Sequence, residues 1–234
     1  MAYIYEHIRT RGYEPLHFEK HYARLDALAR KLFLAPIAIE STELHKMVVE
    51  KLQKEGCSPT TINAVCVKYS DNESVDIEVE EMLYNSFALR AIRPRGYLCR
   101  ISGEMLLDNT SAKEAMLELN RSMGHIADSG VPIWIDDKGE ILAIDGAPAV
   151  AVFDTEIKFS RWGAGVEFDI AQEIGKKRNR KVVCEAVTEE DLTTAKEILF
   201  IDYRGVTVLE KYGRRHYADI VAENIAKQVA LSEQ

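Results

Sequence analysis

No stretch of this 234-residue chain approaches the roughly 20 consecutive apolar residues that a membrane-spanning helix needs. The first residues, MAYIYEHIRT, lack the basic-then-apolar order of a secretion signal. Cysteine is scarce: Cys57, Cys66, Cys99 and Cys184 are scattered, without a C-x-x-C pair or a dense disulfide framework. Six prolines and 13 glycines are too few for collagen-like or low-complexity sequence. There is no G-x-G-x-x-G after a strand, no Walker loop and no G-x-S-x-G elbow, which removes three widespread site types. Positive charge is in deficit too, with 30 Lys and Arg against 38 Asp and Glu and a formal net charge of −8. General nucleic-acid binding needs a net basic face, so that class is set aside. The one basic cluster, Lys176, Lys177, Arg178, Arg180 and Lys181, reads as favourable charge at a helix C-terminus, with phosphate or nucleic-acid contact as the alternative reading. What is left is an acidic chain of ordinary globular composition, 47% hydrophobic and 29% charged. The expectation is a soluble, cytoplasmic protein with neither membrane nor nucleic acid as partner.

The pattern of apolar residues supplies the elements. Tyr3 to Arg9 reads as a strand and Arg11-Gly12 as its turn. Phe18, Tyr22, Leu25, Ala29 and Leu32 then recur at helical spacing, and Pro36 breaks the run. Ser41 or Thr42 can cap a second helix carrying Leu44, Met47, Val48 and Leu52, with Gly56 as its stop. Ile62 to Tyr69 and Val75 to Val79 form a hairpin across Asp71-Asn72, and Phe87 to Ile92 reads as a further strand. Pro94-Arg95-Gly96 is the expected boundary between a small α/β lobe, 1–93, and a larger sheet-rich lobe, 97–234. The second lobe reads as a helix from Lys113 to Ala127, then two hairpins around Asp137-Lys138-Gly139 and Asp154-Thr155-Glu156. A helix near Gly165 to Lys177, a strand from Lys181, a short helix opened by Thr188 and Asp191, two more strands and a helix from Tyr217 to Leu231 complete it. The fold class expected from this order is α+β in two lobes.

Few residues stand out chemically. His17 and His21 are four apart with Glu19 between them, but the metalloprotease order places Glu directly after the first His, and a third ligand is not evident. No metal is expected. Asp136 and Asp137 are neighbours in a turn rather than a carboxylate pair, since adjacent strand residues point to opposite faces. Lys113 follows Asp108-Asn109-Thr110-Ser111, where a loop becomes a helix. The positive end of a helix disfavours an ammonium charge, and a partly neutral amine is what Schiff-base chemistry requires. A solvated surface lysine is the alternative reading of the same spacing.

The N-terminal stretch resembles the class IV, or fold type IV, pyridoxal-phosphate enzymes, a family that includes branched-chain and D-amino-acid aminotransferases and aminodeoxychorismate lyase. The likeness rests on the strand residues Glu6-His7-Ile8-Arg9, the turn at Gly12 and the helix segment His21-Tyr22-Ala23-Arg24-Leu25. It implies that Arg24 contacts the cofactor phosphate, for which a guanidinium fork is suited. Thr110-Ser111-Ala112-Lys113 resembles the segment ending in the family's Schiff-base lysine, which makes Lys113 the implied catalytic residue. Asp136 to Glu140 resembles the hairpin before a Glu-Gly signature whose carboxylate pairs with the pyridine nitrogen. Ungapped spacing places Ala143 at that glutamate, whereas a two-residue insertion places Asp145-Gly146 on the pair, and Asp145 is preferred. Gly165-Val166-Glu167-Phe168 resembles the helix start whose backbone N–H groups bind phosphate, so Val166 and Glu167 are implied cofactor contacts. Asp202 falls where the family has a phosphate-binding threonine, and Arg204 or Thr207 would line the substrate side.

The resemblance thus implies a homodimer binding pyridoxal 5′-phosphate, acting as an aminotransferase or lyase on a small amino acid or keto acid. Glu167 and Asp202 depart from it, because each brings negative charge to a place meant for a phosphate dianion. They motivate a second expectation, a non-catalytic homologue that keeps the fold but not the cofactor.

Overall fold

The computed structural model describes residues 2–84, 86–101, 107–124, 130–162, 164–177 and 181–233. The chain forms two compact units, one of Met1–Ser86 with Asp108–Ala112, the other of Phe87–Leu107 with Lys113–Gln234.

The first unit contains β1 (Tyr3–Arg11), β2 (Glu14–Pro15), α1 (Phe18–Leu32), α2 (Ser41–Lys54), β3 (Ile62–Ser70) and β4 (Val75–Glu81). Its sheet has the order β2-β1-β3-β4, antiparallel throughout. Phe18, Leu25 and Ala29 of α1 and Leu44, Val48 and Leu52 of α2 are buried in one core with Ile4, Ile8, Val65 and Val67 of the sheet. The helical stripe read from the sequence faces this core except at Leu32, which is exposed. The turn after β1 requires glycine twice over: Gly12 has φ +60°, and a Cβ there would lie 2.2 Å from the Pro59 carbonyl oxygen. Helix α2 does begin at Ser41, but without a side-chain cap; the Ser41 hydroxyl donates instead to Glu19 at 2.8 Å.

The second unit contains β5 (Arg95–Arg100), α3 (Ser111–Gly124), β6 (Gly130–Ile135), β7 (Ile141–Ile144), β8 (Ala149–Val152), β9 (Glu156–Ser160) and α4 (Val166–Lys176). It continues through β10 (Lys181–Glu185), α5 (Asp191–Thr194), β11 (Glu197–Asp202), β12 (Gly205–Val208), β13 (Lys211–Tyr212), β14 (Arg215–His216) and α6 (Ile220–Ser232). The first two residues of α3 fall in the first unit and the rest in the second. One sheet has the order β10-β9-β8-β11-β12, the other β14-β13-β5-β6-β7. Two of the parallel pairs, β5–β6 and β9–β10, are linked by α3 and α4, the long connections that parallel strands require. Strands β7 and β8 are buried at every residue, and Ile141, Ile144, Val150 and Val152 join Ile133, Ile135, Leu199 and Ile201 in a single core.

Three sequence expectations are corrected here. Phe87 to Ile92 is not a strand: it makes one isolated bridge, Leu89 to Val206, and lies in the second unit. Arg95 and Gly96, read as part of the boundary segment, belong to β5, where Gly96 is needed for packing, because a Cβ would lie 2.5 Å from Ile133. The last helix begins at Ile220 rather than Tyr217. Its orphan N–H groups set that start, since Val221 and Ala222 donate to the buried Glu197 carboxylate at 2.8–3.1 Å. The end of the helix expected through Ala127, and Arg178 and Arg180 of the basic cluster, lie outside the described residues. The Thr188–Asp191 capping box forms as read, with Thr188 N–H donating to Asp191 at 2.8 Å and Asp191 N–H to Thr188 at 3.4 Å.

Candidate functional site

In the first unit, Arg24 is held by Glu6. Its Nε donates to Glu6 Oε1 at 3.2 Å, and His21 Nδ1 donates to the same oxygen at 3.0 Å. The second oxygen accepts from Asn109 Nδ2 at 3.2 Å. Residues 21 and 24 lie one turn apart on α1, which brings both side chains over the one strand residue. Burial raises the Glu6 carboxyl, but the hydrogen bond from His21 and the charge of Arg24 outweigh it and hold the group below its ordinary range. The segment before α3 is anchored in the same unit: Tyr5 N–H donates to the Asn109 carbonyl at 2.9 Å, and Lys31 donates to Asp108 at 2.6 Å. Burial, and then the positive charges of His21, Lys20 and Arg9, hold the His17 imidazole below its usual pKa.

In the second unit, Lys113 is the third residue of α3 and is buried, with Nζ donating to the Leu107 carbonyl at 3.3 Å. Leu117 and Arg121 follow at four-residue intervals on the same face. Leu117 packs on the turn Asp145-Gly146, where a Cβ on Gly146 would meet its side chain at 2.8 Å. Arg121 stands about 12 Å along the helix from Lys113, by the 1.5 Å rise over eight residues. Its guanidinium donates to both oxygens of Asp145 at 3.3 Å.

Asp145 itself lies in a tight turn. Residues 145 and 146 have φ of +49° and +76°, and Ile144 and Ala147 exchange backbone hydrogen bonds at 2.9 Å. This is the Asp-Gly turn geometry in which both central residues are left-handed. The Asp145 carboxylate accepts a further bond from Arg204 Nη2 at 3.3 Å. Arg204 in turn donates to Asp202 through Nε at 2.9 Å and Nη2 at 2.5 Å, and its backbone N–H donates to the other Asp202 oxygen at 2.8 Å. Asp202 therefore shapes the β11–β12 turn as well as pairing its arginine. Burial raises the Asp202 carboxyl, but the charge and hydrogen bonds of Arg204 and the charge of Arg90 prevail, so it is held ionised to lower pH than usual. The same acids hold the Arg204 guanidinium protonated against the effect of burial.

Ala143, at the other register, lies on β7 opposite Trp134 of β6. Both are buried in an apolar cluster with Ile101 and Leu142, against which Leu107, Met116 and Leu117 pack. The Trp134 indole Nε1 is buried there without a hydrogen-bond partner. Val166 and Glu167 open α4 and are both buried. The first turn of α4 carries two acids, Glu167 and Asp169, which complement its positive end.

Of the residues singled out in the sequence, Asp145 and Asp202 are thus brought together through Arg204, and Arg121 is an addition that the sequence reading missed. Its only signal was position, two turns beyond Lys113 on the same face. Glu6 was legible as part of a motif but not as the partner of Arg24. Among the described residues, no group of three or more His, Cys, Asp and Glu is arranged to hold a metal.

No protein-family model matches the chain, and no curated protein matches it. Solved structures do match in fold. A putative 4-amino-4-deoxychorismate lyase from Legionella pneumophila superposes with a TM-score of 0.81 over 99% of this chain and 91% of that one, at 11% identity. A branched-chain aminotransferase from Thermoproteus uzoniensis, crystallised with norvaline, gives 0.81 over 99% and 86%, at 15% identity. A hypothetical aminotransferase from Mycobacterium tuberculosis in its PLP-bound form gives 0.78 over 99% and 90%, at 13% identity. The chain has the mixed α and β fold of the fold type IV aminotransferases and aminodeoxychorismate lyase-like proteins, as its sequence led one to expect. At these identities the likeness shows the fold alone.

Proposed function

We propose that this chain is a fold type IV homologue that keeps the scaffold without its Schiff-base cofactor chemistry. The observation that carries the reading is the engagement of Asp145 by two guanidinium groups, Arg121 and Arg204. A pyridinium N–H needs a carboxylate with an oxygen to offer and no competing cation beside it. Asp145 has two competing cations beside it, and the alternative position, Ala143, has no carboxylate and is closed into an apolar cluster. A phosphate dianion would meet a buried Glu167 in the first turn of α4. Asp202, held ionised by Arg204, would repel it further. Arg24, the implied phosphate clamp, shares its charge with Glu6 through Nε. The residues at the implied positions therefore do not fit pyridoxal phosphate.

One observation favours the other reading, a pyridoxal-phosphate aminotransferase or lyase acting on a small amino acid or keto acid. Lys113 is a buried amine in the first turn of a helix, 7% exposed. The fold neighbours are also named as aminotransferases and a lyase, one of them in a PLP-bound form. A homodimer belongs to the proposal on the strength of the sequence resemblance, and a cytoplasmic location on the strength of composition.

Titration with pyridoxal phosphate followed by borohydride separates the two. The expected result is no absorption band that depends on Lys113 and no reduced adduct on the peptide containing it. A band abolished by Lys113→Ala, with the adduct mapped to Lys113, overturns the proposal and establishes the enzyme reading.

A further inference from the structure

Most edges of the three sheets are short or covered. Strands β2 and β14 have two residues each. Along β12, Arg90 N–H donates to the Val206 carbonyl at 2.8 Å and Val206 N–H to the Ala88 carbonyl at 3.0 Å. Beside β7, Ile141 N–H donates to the Val187 carbonyl at 2.7 Å, and Glu140 bridges to Thr188. Two longer strands are left at sheet ends, β4 of the first unit and β10 of the second. Among the described residues, the main chain of β10 bonds only to β9 and to Arg161 N–H. An open edge is a template for another strand, and proteins commonly block it with charge.

Charge separates the two edges. Strand β4 sets Asp76, Glu78 and Glu80 on alternate positions of one face, so antiparallel pairing with a second copy of itself would bring acid against acid. Strand β10 reads Lys181-Val182-Val183-Cys184-Glu185. Paired antiparallel with itself about Val183, it places Lys181 opposite Glu185 of the second copy at both ends, and Val182 opposite Cys184. Lys181 Nζ donates to Glu156 at 2.9 Å, which leaves an ammonium two further protons to donate. Glu185 is exposed and, among the described residues, makes no ion pair in its own chain. Val182 and Val183 are half-buried, apolar area that a second strand would cover.

We propose that β10 pairs antiparallel with β10 of a second copy of this chain, joining their five-stranded sheets across a two-fold axis at Val183. This pairing rests on the homodimer of the proposed function, to which it gives a surface, and is independent of Lys113 and Asp145. A strand pair of this length falls short of the roughly 1,200–2,000 Å² of a stable interface, so the association depends on concentration.

The pairing fixes distances that can be tested. Side chains directly opposite in an antiparallel pair lie about 4.5–5.5 Å apart and diagonal ones about 7–8 Å. A disulfide needs Cα atoms about 4.4–6.8 Å apart. Val183→Cys in a Cys184→Ser background therefore closes a disulfide between copies under mild oxidation. Cys184 of the parent, diagonal to its counterpart, forms none but is bridged by a short bismaleimide. Lys181→Cys in the same background lies four residues from its counterpart and serves as the collision control. Sedimentation equilibrium of the intact chain shows a dimer, and Glu185→Lys weakens it at least tenfold by setting lysine against lysine. Its thermal midpoint is unchanged because the residue is exposed. A monomer at every concentration overturns both this pairing and the homodimer. A dimer in which Val183→Cys cross-links no faster than Lys181→Cys, or which Glu185→Lys leaves intact, overturns the β10 surface alone.

Discussion

The two units each bury a network of charges, and the networks are built differently. In the first, a single acid, Glu6, serves His21, Arg24 and Asn109, and its side chain is 5% exposed. In the second, two acids share two arginines, Asp145 and Asp202 with Arg121 and Arg204, and Arg121 is half exposed. The first network has no substitute for its acid. Remove Glu6, and the buried His21 and the partly buried Arg24 lose the acid they share. The second is balanced and redundant: Arg204 keeps Asp202 if Asp145 is lost, and water reaches Arg121. Burial of ion pairs stabilises a fold mainly by making the loss of one member costly, so the two networks differ in what they penalise.

The largest effect is expected at Glu6. Glu6→Ala strands His21 and Arg24 and destabilises the chain by about 3–5 kcal/mol, measured by urea unfolding. A loss below about 1 kcal/mol would remove the contrast between the networks. Next come Asp145→Ala and Asp202→Ala, each expected to cost about 1–2 kcal/mol once the exposure of Arg121 is allowed for. The double variant should cost more than the sum of the two, because either acid alone still neutralises Arg204. Simple additivity in that cycle would show that the two acids do not share the arginine energetically.

The smallest effect is in acid. Glu6 and Asp202 both ionise below their ordinary values in the folded chain. A carboxylate of that kind contributes its full stability above the unfolded-state value, 4.5 for Glu6 and 3.8 for Asp202, and loses it as pH falls toward the folded-state value. Thermal midpoints of the parent should therefore fall from about pH 5 downward. Glu6→Gln and Asp202→Asn should start lower and fall less steeply. An acid limb equally steep in both variants would mean that other carboxylates govern it.

Much of the fold was legible because it is written in short periodicities. The α1 stripe, the Ile62–Val79 hairpin, the stop at Gly56 and the capping box at Thr188 each depend on residues within a few positions of one another. Asp145-Gly146 shows that the same habit can support two readings. Read as half of a family signature, it became a candidate partner for a ring nitrogen, although Asp-Gly between apolar runs is also a strong turn signal. Gly96 was read as part of a boundary segment, and only the approach of Ile133 explains why no side chain fits there.

By itself, the sequence determined the class of fold, the order of its helices and of most of its strands, and the residue types available for chemistry. Periodicity, caps and turns act over a few residues, and a single chain carries them openly. Which charges meet was decided only by tertiary structure. Arg121 and Arg204 reach Asp145 from positions 24 and 59 residues away, and Asn109 reaches Glu6 across 103. A carboxylate's chemistry depends on the cations and the water around it, and contacts across such intervals follow from packing rather than from spacing along the chain.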